Sequence, residues 1–116
     1  MKSEIVRLYH AFINSCSGIA SCWKTEAAFR LQLSIFIITL PLICLIAPSG
    51  IEKLILVIVG MIALITEMLN TAIEKAIDRI GTDYHDLSKN AKDMGSAACF
   101  FAQITWFCSW LWIVVA

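Results

Sequence analysis

Charge is missing from two long stretches of this 116-residue sequence, residues 31–51 and residues 94–116. Together they make up 44 residues, and a soluble globule cannot leave so much of its length without charged surface. Net charge is missing as well, with nine Lys and Arg against nine Asp and Glu. No basic excess draws the chain to nucleic acid, and no acidic excess marks a disordered tail. The five cysteines (Cys16, Cys22, Cys44, Cys99 and Cys108) form no CxxC pair and are odd in number, which argues against disulfides and zinc. They are expected to be small apolar packing residues. No internal repeat or low-complexity segment is present. The chain is 59% apolar, and its length suits one domain. The expected class is an all-α membrane protein: three transmembrane helices plus an N-terminal amphipathic interfacial helix.

A helix crosses the hydrocarbon core with about 20 mostly apolar residues. Three segments qualify: residues 30–47, with Pro41 expected to bend the helix; residues 54–73; and residues 95–115. Pro48-Ser49-Gly50 signals a reversal between the first two. The helical pattern of the second span runs on past the membrane to Gly81, so residues 74–93 form a cytoplasmic helix extension and loop. Trp106, Trp110 and Trp112 suit the far interface. Three spans place eight Lys and Arg on one side and only Lys53 on the other. By the positive-inside bias the N-terminus is cytoplasmic and the C-terminus lies opposite. The first thirty residues carry six charges and no uninterrupted apolar core, so no cleavable signal is expected. Residues 4–24 repeat apolar side chains at helical spacing (Ile5, Leu8, Tyr9, Phe12, Ile13, Cys16, Ile19, Ala20, Trp23). Such a helix either lies in the headgroup region or docks on protein.

Chemistry concentrates in residues 67–78, EMLNTAIEKAID. Glu67, Asn70, Glu74 and Asp78 are spaced three, four and four apart, within about 80° of one another on a helix. Glu67 follows a dozen apolar positions, and a carboxylate at that depth is a functional candidate by default. The plain alternative is interhelical glue with Asn70 as a partner. The loop GTDYHDLSKNAKDMGSA brings Asp83, Tyr84, His85, Asp86, Lys89, Lys92 and Asp93, and most charged loops are simply solvated. Glu26 and Arg30, four apart in KTEAAFR, are either an ordinary helical ion pair or add a carboxylate at the same interface. Acidic groups and a lysine at one depth suit a hard cation such as Mg²⁺ and a phosphate-bearing substrate. GxxxxGK[ST], GxGxxG, HRD, DFG and HExxH are all absent, so ATP would have to be handled without a known soluble kinase fold.

Glu67 to Asp78 resembles the signature E-x-x-N-[ST]-[SA]-x-E-x-x-V-D of the prokaryotic diacylglycerol kinase family, with Ile77 in place of the usual Val. EAAFR (Glu26–Arg30) and AKDMGSAA (Ala91–Ala98) match in order and spacing, and the likeness covers nearly the whole chain. The wording DRIGTDYHDLS resembles the diacylglycerol-specific branch rather than the undecaprenol-kinase branch.

The resemblance implies a kinase of the bacterial inner membrane that moves the γ-phosphoryl group of Mg·ATP to the primary hydroxyl of 1,2-diacylglycerol. The products are phosphatidate and ADP, which serves phospholipid recycling. It also implies a homotrimer with sites shared between subunits. Glu67 would be the general base, and Asn70 would help position it. Glu26 and Glu74 would hold Mg²⁺ and, through it, ATP. Arg7, Asp83, Tyr84, His85, Lys92 and Asp93 would contact the nucleotide, and Trp23, Ala28, Phe29, Arg30 and Ser96 would flank the lipid beside Glu67. Asn14, Ala20 and Gln32 depart from the family pattern, and no role is carried to them. Phosphoryl transfer needs positioning and charge neutralisation above all, which carboxylates, Mg²⁺ and a lysine supply. The competing readings are a kinase for undecaprenol or another lipid alcohol, a small proton-coupled transporter using Glu67, and a structural membrane subunit.

Overall fold

A computed structural model describes all of residues 1–116 as four helices and no strand: α1 (Lys2–Thr25), α2 (Ala27–Ile46), α3 (Gly50–Ile80) and α4 (Asp86–Val115). α2, α3 and α4 are each long and apolar enough to cross a membrane. α1 is amphipathic and shorter than α3 and α4, with Glu4 in its first turn and Lys24 in its last, matching the helix dipole.

A single residue separates α1 from α2. Glu26 takes extended backbone angles (φ −120°, ψ 108°) and so ends one helix and opens the next. Arg30 closes this corner from the second turn of α2. Its Nη1 donates to the carbonyls of Trp23 (2.7 Å) and Lys24 (3.3 Å), which the end of α1 would leave without partners. Hence no helical Glu26–Arg30 ion pair forms: the helix that would bring them together is broken at Glu26 itself. α2 continues past Pro41 to Ile46.

The reversal at Pro48 works through Ser49, whose Oγ accepts from the Glu52 amide at 3.3 Å and caps α3. α3 then runs for 31 residues, about 46 Å, against a hydrocarbon thickness of about 30 Å. Its last turns therefore project beyond the membrane. Only residues 81–85 are non-helical before α4, so Asp86–Asp93, expected in a loop, are the first turns of α4 instead. His85 starts that helix, its Nδ1 accepting from the Leu87 amide at 3.1 Å.

α3 and α4 pack antiparallel along their length, with α2 against α3. Two glycines set how closely. A Cβ on Gly60 would stand 2.7 Å from the Phe36 ring, and one on Gly95 would overlap the Asn70 amide. Away from the charged end, Ile43, Ala47 and Leu56 form a small core, flanked by Val57, Trp110 and Ile113. Only 12 of 116 residues are buried, so most apolar surface is left for lipid or another subunit to cover. α1 illustrates this, since only Cys22 is buried while Leu8 and Phe12 are 71% and 66% exposed. Its apolar face is not docked on its own chain.

Candidate functional site

Helix α3 carries Glu67, Asn70 and Glu74 half-buried, and Asp78 exposed, along one stripe about 16 Å long. Each of the first three is held by a different neighbour. Gln32 on α2 donates through Nε2 to Glu67 Oε2 at 3.2 Å. Asn70 donates through Nδ2 to Glu74 Oε1 at 3.3 Å, one turn further along. Gly95 on α4 lies against the Asn70 amide and leaves no room for a methyl group. The Cys99 thiol, one turn deeper on α4, reaches the Thr66 carbonyl at 3.6 Å and so stands beside Glu67. The result is a carboxylate at apolar depth, held by the Gln32 amide with the Cys99 thiol beside it. Such a group can take a proton from an alcohol held at the membrane surface.

The α1–α2 corner reaches the same stripe. Lys75 Nζ donates to Thr25 Oγ1 at 3.1 Å, which ties the corner to α3 next to Glu26 and Glu74 in sequence. Burial, and then the Glu26 charge, push the Cys22 thiol up at this corner, so it stays a neutral packing group.

Beyond the stripe, the α3–α4 connection opens a cleft of about 240 Å³. Asp83, Tyr84, His85, Lys89, Lys92 and Asp93 all line it. Lys92 Nζ meets Asp78 Oδ1 at 2.7 Å, and Lys89 Nζ meets Asp93 Oδ2 at 2.6 Å. These pairs are about half exposed, the regime in which an ion pair contributes about 0–1 kcal/mol, so either lysine can be surrendered to an incoming phosphate. Tyr84 donates to Asp86 Oδ1 at 2.8 Å, and that bond holds its phenol above the usual tyrosine range.

Several expected positions fall elsewhere. Phe29, expected beside lipid, is only 2% exposed and packs inside the chain. The Arg30 guanidinium, also expected there, is occupied with the end of α1. Trp23, Ala28 and Ser96 are exposed. Arg7 lies on the free part of α1, 18 residues or about 27 Å before Thr25, so its own chain does not bring it to the cleft. Gln32, a departure from the family pattern that carries no expected role, is the direct partner of Glu67. Its signal was present in the sequence: a polar side chain inside an apolar run, the same anomaly that marked Glu67.

For a divalent cation, no three Asp, Glu, His or Cys side chains converge within one chain. Mg²⁺ bound with a nucleotide takes one or two carboxylates and fills its shell with phosphate oxygens and water. Glu74, tethered through one oxygen only, and Glu26 at the α1–α2 corner supply carboxylates of that donor type.

Residues 13–114 match the sequence pattern described as "Prokaryotic diacylglycerol kinase". A diacylglycerol kinase of Escherichia coli (strain K12) is 40% identical over 110 residues, covering 91% of this chain and 89% of that protein. One from Pseudomonas aeruginosa is 38% identical over 109 residues, covering 90% and 89%. One from Helicobacter pylori is 35% identical over 104 residues, covering 90% and 81%.

Proposed function

This chain belongs to the prokaryotic diacylglycerol kinase family, and we propose that the Glu67 stripe is where its phosphoryl transfer takes place. The protein is a bacterial membrane kinase that uses ATP to phosphorylate diacylglycerol, giving phosphatidate and ADP. The observation that supports the stripe is the tethered Glu67: a carboxylate at apolar depth held by the Gln32 amide.

In this reading the lipid stays in the bilayer and offers its hydroxyl at the depth of Glu67. The Glu67 carboxylate accepts the hydroxyl proton as the lipid oxygen forms its bond to the γ-phosphorus and the bond to the β-phosphate oxygen breaks. Asn70 keeps Glu74 in register, and Gly95 keeps Asn70 in register. Glu74 and Glu26 would hold Mg²⁺, which supplies charge neutralisation to the phosphates. Lys92 leaves Asp78 for a phosphate, while Asp93 and the Asp83-Tyr84-His85 segment hold the rest of the nucleotide in the adjoining cleft.

We assign the charged end, with the N-terminus, to the cytoplasm, because eight of the nine basic side chains fall there. The C-terminus then faces the other side of the bacterial inner membrane. A homotrimer is supported by the unpartnered face of α1 and by the distance of Arg7 from its own cleft. A neighbouring subunit would then supply Arg7 to the nucleotide.

Radiolabelled Mg·ATP presented with a panel of lipid alcohols in mixed micelles tests the reading. Phosphate should pass to diacylglycerol in preference to undecaprenol, and Glu67→Gln should slow transfer to both by about 100-fold or more. Preference for the polyprenol, or full transfer by the Glu67→Gln variant, contradicts it.

A further inference from the structure

Helix α4 carries a second glutamine at hydrocarbon depth that the stripe does not use. Gln103 is half-buried in an otherwise apolar run and enters none of the chain's side-chain hydrogen bonds. An amide in hydrocarbon without a partner is costly. Gln103 lines a small open cleft of about 50 Å³ between α2, α3 and α4, together with Gln32, Phe36, Gly60, Ala63 and Trp106. The cleft has two polar features, and Gln32 stands at the Glu67 end. Its Nε2 serves Glu67, while its Oε1 is buried with no partner and marks a position where a hydrogen-bond donor belongs.

The register of the helices sets the depth of the other. Cys99 meets Thr66, level with Glu67, and Gln103 follows Cys99 by four residues, about 6 Å further into the membrane. That is comparable to the span between the free hydroxyl of a diacylglycerol and its ester carbonyls. A glycerolipid whose hydroxyl rests on Glu67 therefore carries its carbonyls to the level of Gln103, while its chains stay in lipid. An amide has two N–H donors, enough for one ester carbonyl and for the unpaired Gln32 oxygen.

We infer that Gln103 reads the substrate's ester: its amide donates to an acyl carbonyl of the lipid whose hydroxyl is on Glu67. The cleft thereby selects ester-bearing glycerolipids over lipid alcohols that lack a carbonyl. This rests on the assignment of Glu67 as the base.

The test compares 1,2-dioctanoylglycerol with the matched diether 1,2-dioctylglycerol in mixed micelles with Mg·ATP, using the full-length protein and Gln103→Met, which removes the amide and keeps the length. The wild type should favour the ester in kcat/KM by about 3–10-fold, the scale of one hydrogen bond. Gln103→Met should bring the ratio close to one by raising KM for the ester, with turnover of the ether unchanged. Equal use of ester and ether by the wild type overturns the inference, and that result does not depend on the variant folding. So does an unchanged ratio in Gln103→Met, or an equal fall for both lipids with loss of assembly, which would make Gln103 an interhelical tie to a second copy. Transfer to neither lipid by the wild type would instead remove the kinase reading beneath it.

Discussion

The same helices, α3 and α4, do two different jobs at their two ends. At the apolar end Leu56, Trp110 and Ile113 pack with Ile43 and Ala47 of α2, and the contact is built from shape and burial. At the charged end the helices approach through Gly95, and the space is filled by the amide of Asn70. Side chains there are fixed by single hydrogen bonds, Gln32 to Glu67 and Asn70 to Glu74, each longer than 3 Å. The contrast shows how a chain this small combines rigidity with chemistry. One end supplies the packing, and the other can then hold partly satisfied polar groups ready for a ligand.

Substitutions at the two ends should separate these jobs, and the largest effect belongs to the charged one. Glu67→Gln should lower turnover by about 10²–10⁴-fold, the usual contribution of a positioned base, with thermal stability in detergent unchanged. At the other end, Leu56→Ala should cost about 2–5 kcal/mol of stability in denaturant or thermal-inactivation assays. The folded fraction of that variant should turn over normally; a selective loss of catalysis would break the division. Gly95→Ala probes the joint between the two, because the added methyl must displace Asn70 and with it Glu74. It should shift the Mg²⁺ concentration needed for half-maximal rate upward, with only a small change in melting temperature. Lys92→Ala should raise KM for ATP while leaving KM for the lipid unchanged. The smallest effect is expected for Asp86→Ala. Removing its bond should return the Tyr84 phenol from its raised position toward the ordinary tyrosine range, so absorbance should follow Tyr84 ionising at a lower pH than in the wild type.

Much of this was legible in one dimension because it is periodic or contiguous. Hydropathy marks α2, α3 and α4 as capable of spanning a membrane, since a bilayer demands long apolar runs. The spacing of Glu67, Asn70 and Glu74 places them on one stripe because a helix has a fixed period. What escaped depends on tertiary contact. Gln32 and Glu67 are 35 residues apart on different helices, and no local pattern links them. Arg30 reads as a partner for Glu26 until the break at Glu26 turns its guanidinium onto the carbonyls of α1. Phe29 sits in a family-like segment, and only the packing of α2 shows that it faces inward. The first turns of α4 read as loop because their charges hide the helix, which His85 caps through a ring nitrogen rather than a typical hydroxyl.

Single-turnover transfer from pre-bound radiolabelled ATP to 1,2-dioctanoylglycerol in Glu67→Gln tests the role of Glu67 most directly, because it separates nucleotide binding from the chemical step. The account predicts that ATP binds as tightly as in the wild type and that phosphatidate then forms more slowly by about 100-fold or more. Transfer at the wild-type rate, or a loss explained entirely by failure to bind ATP, would contradict it.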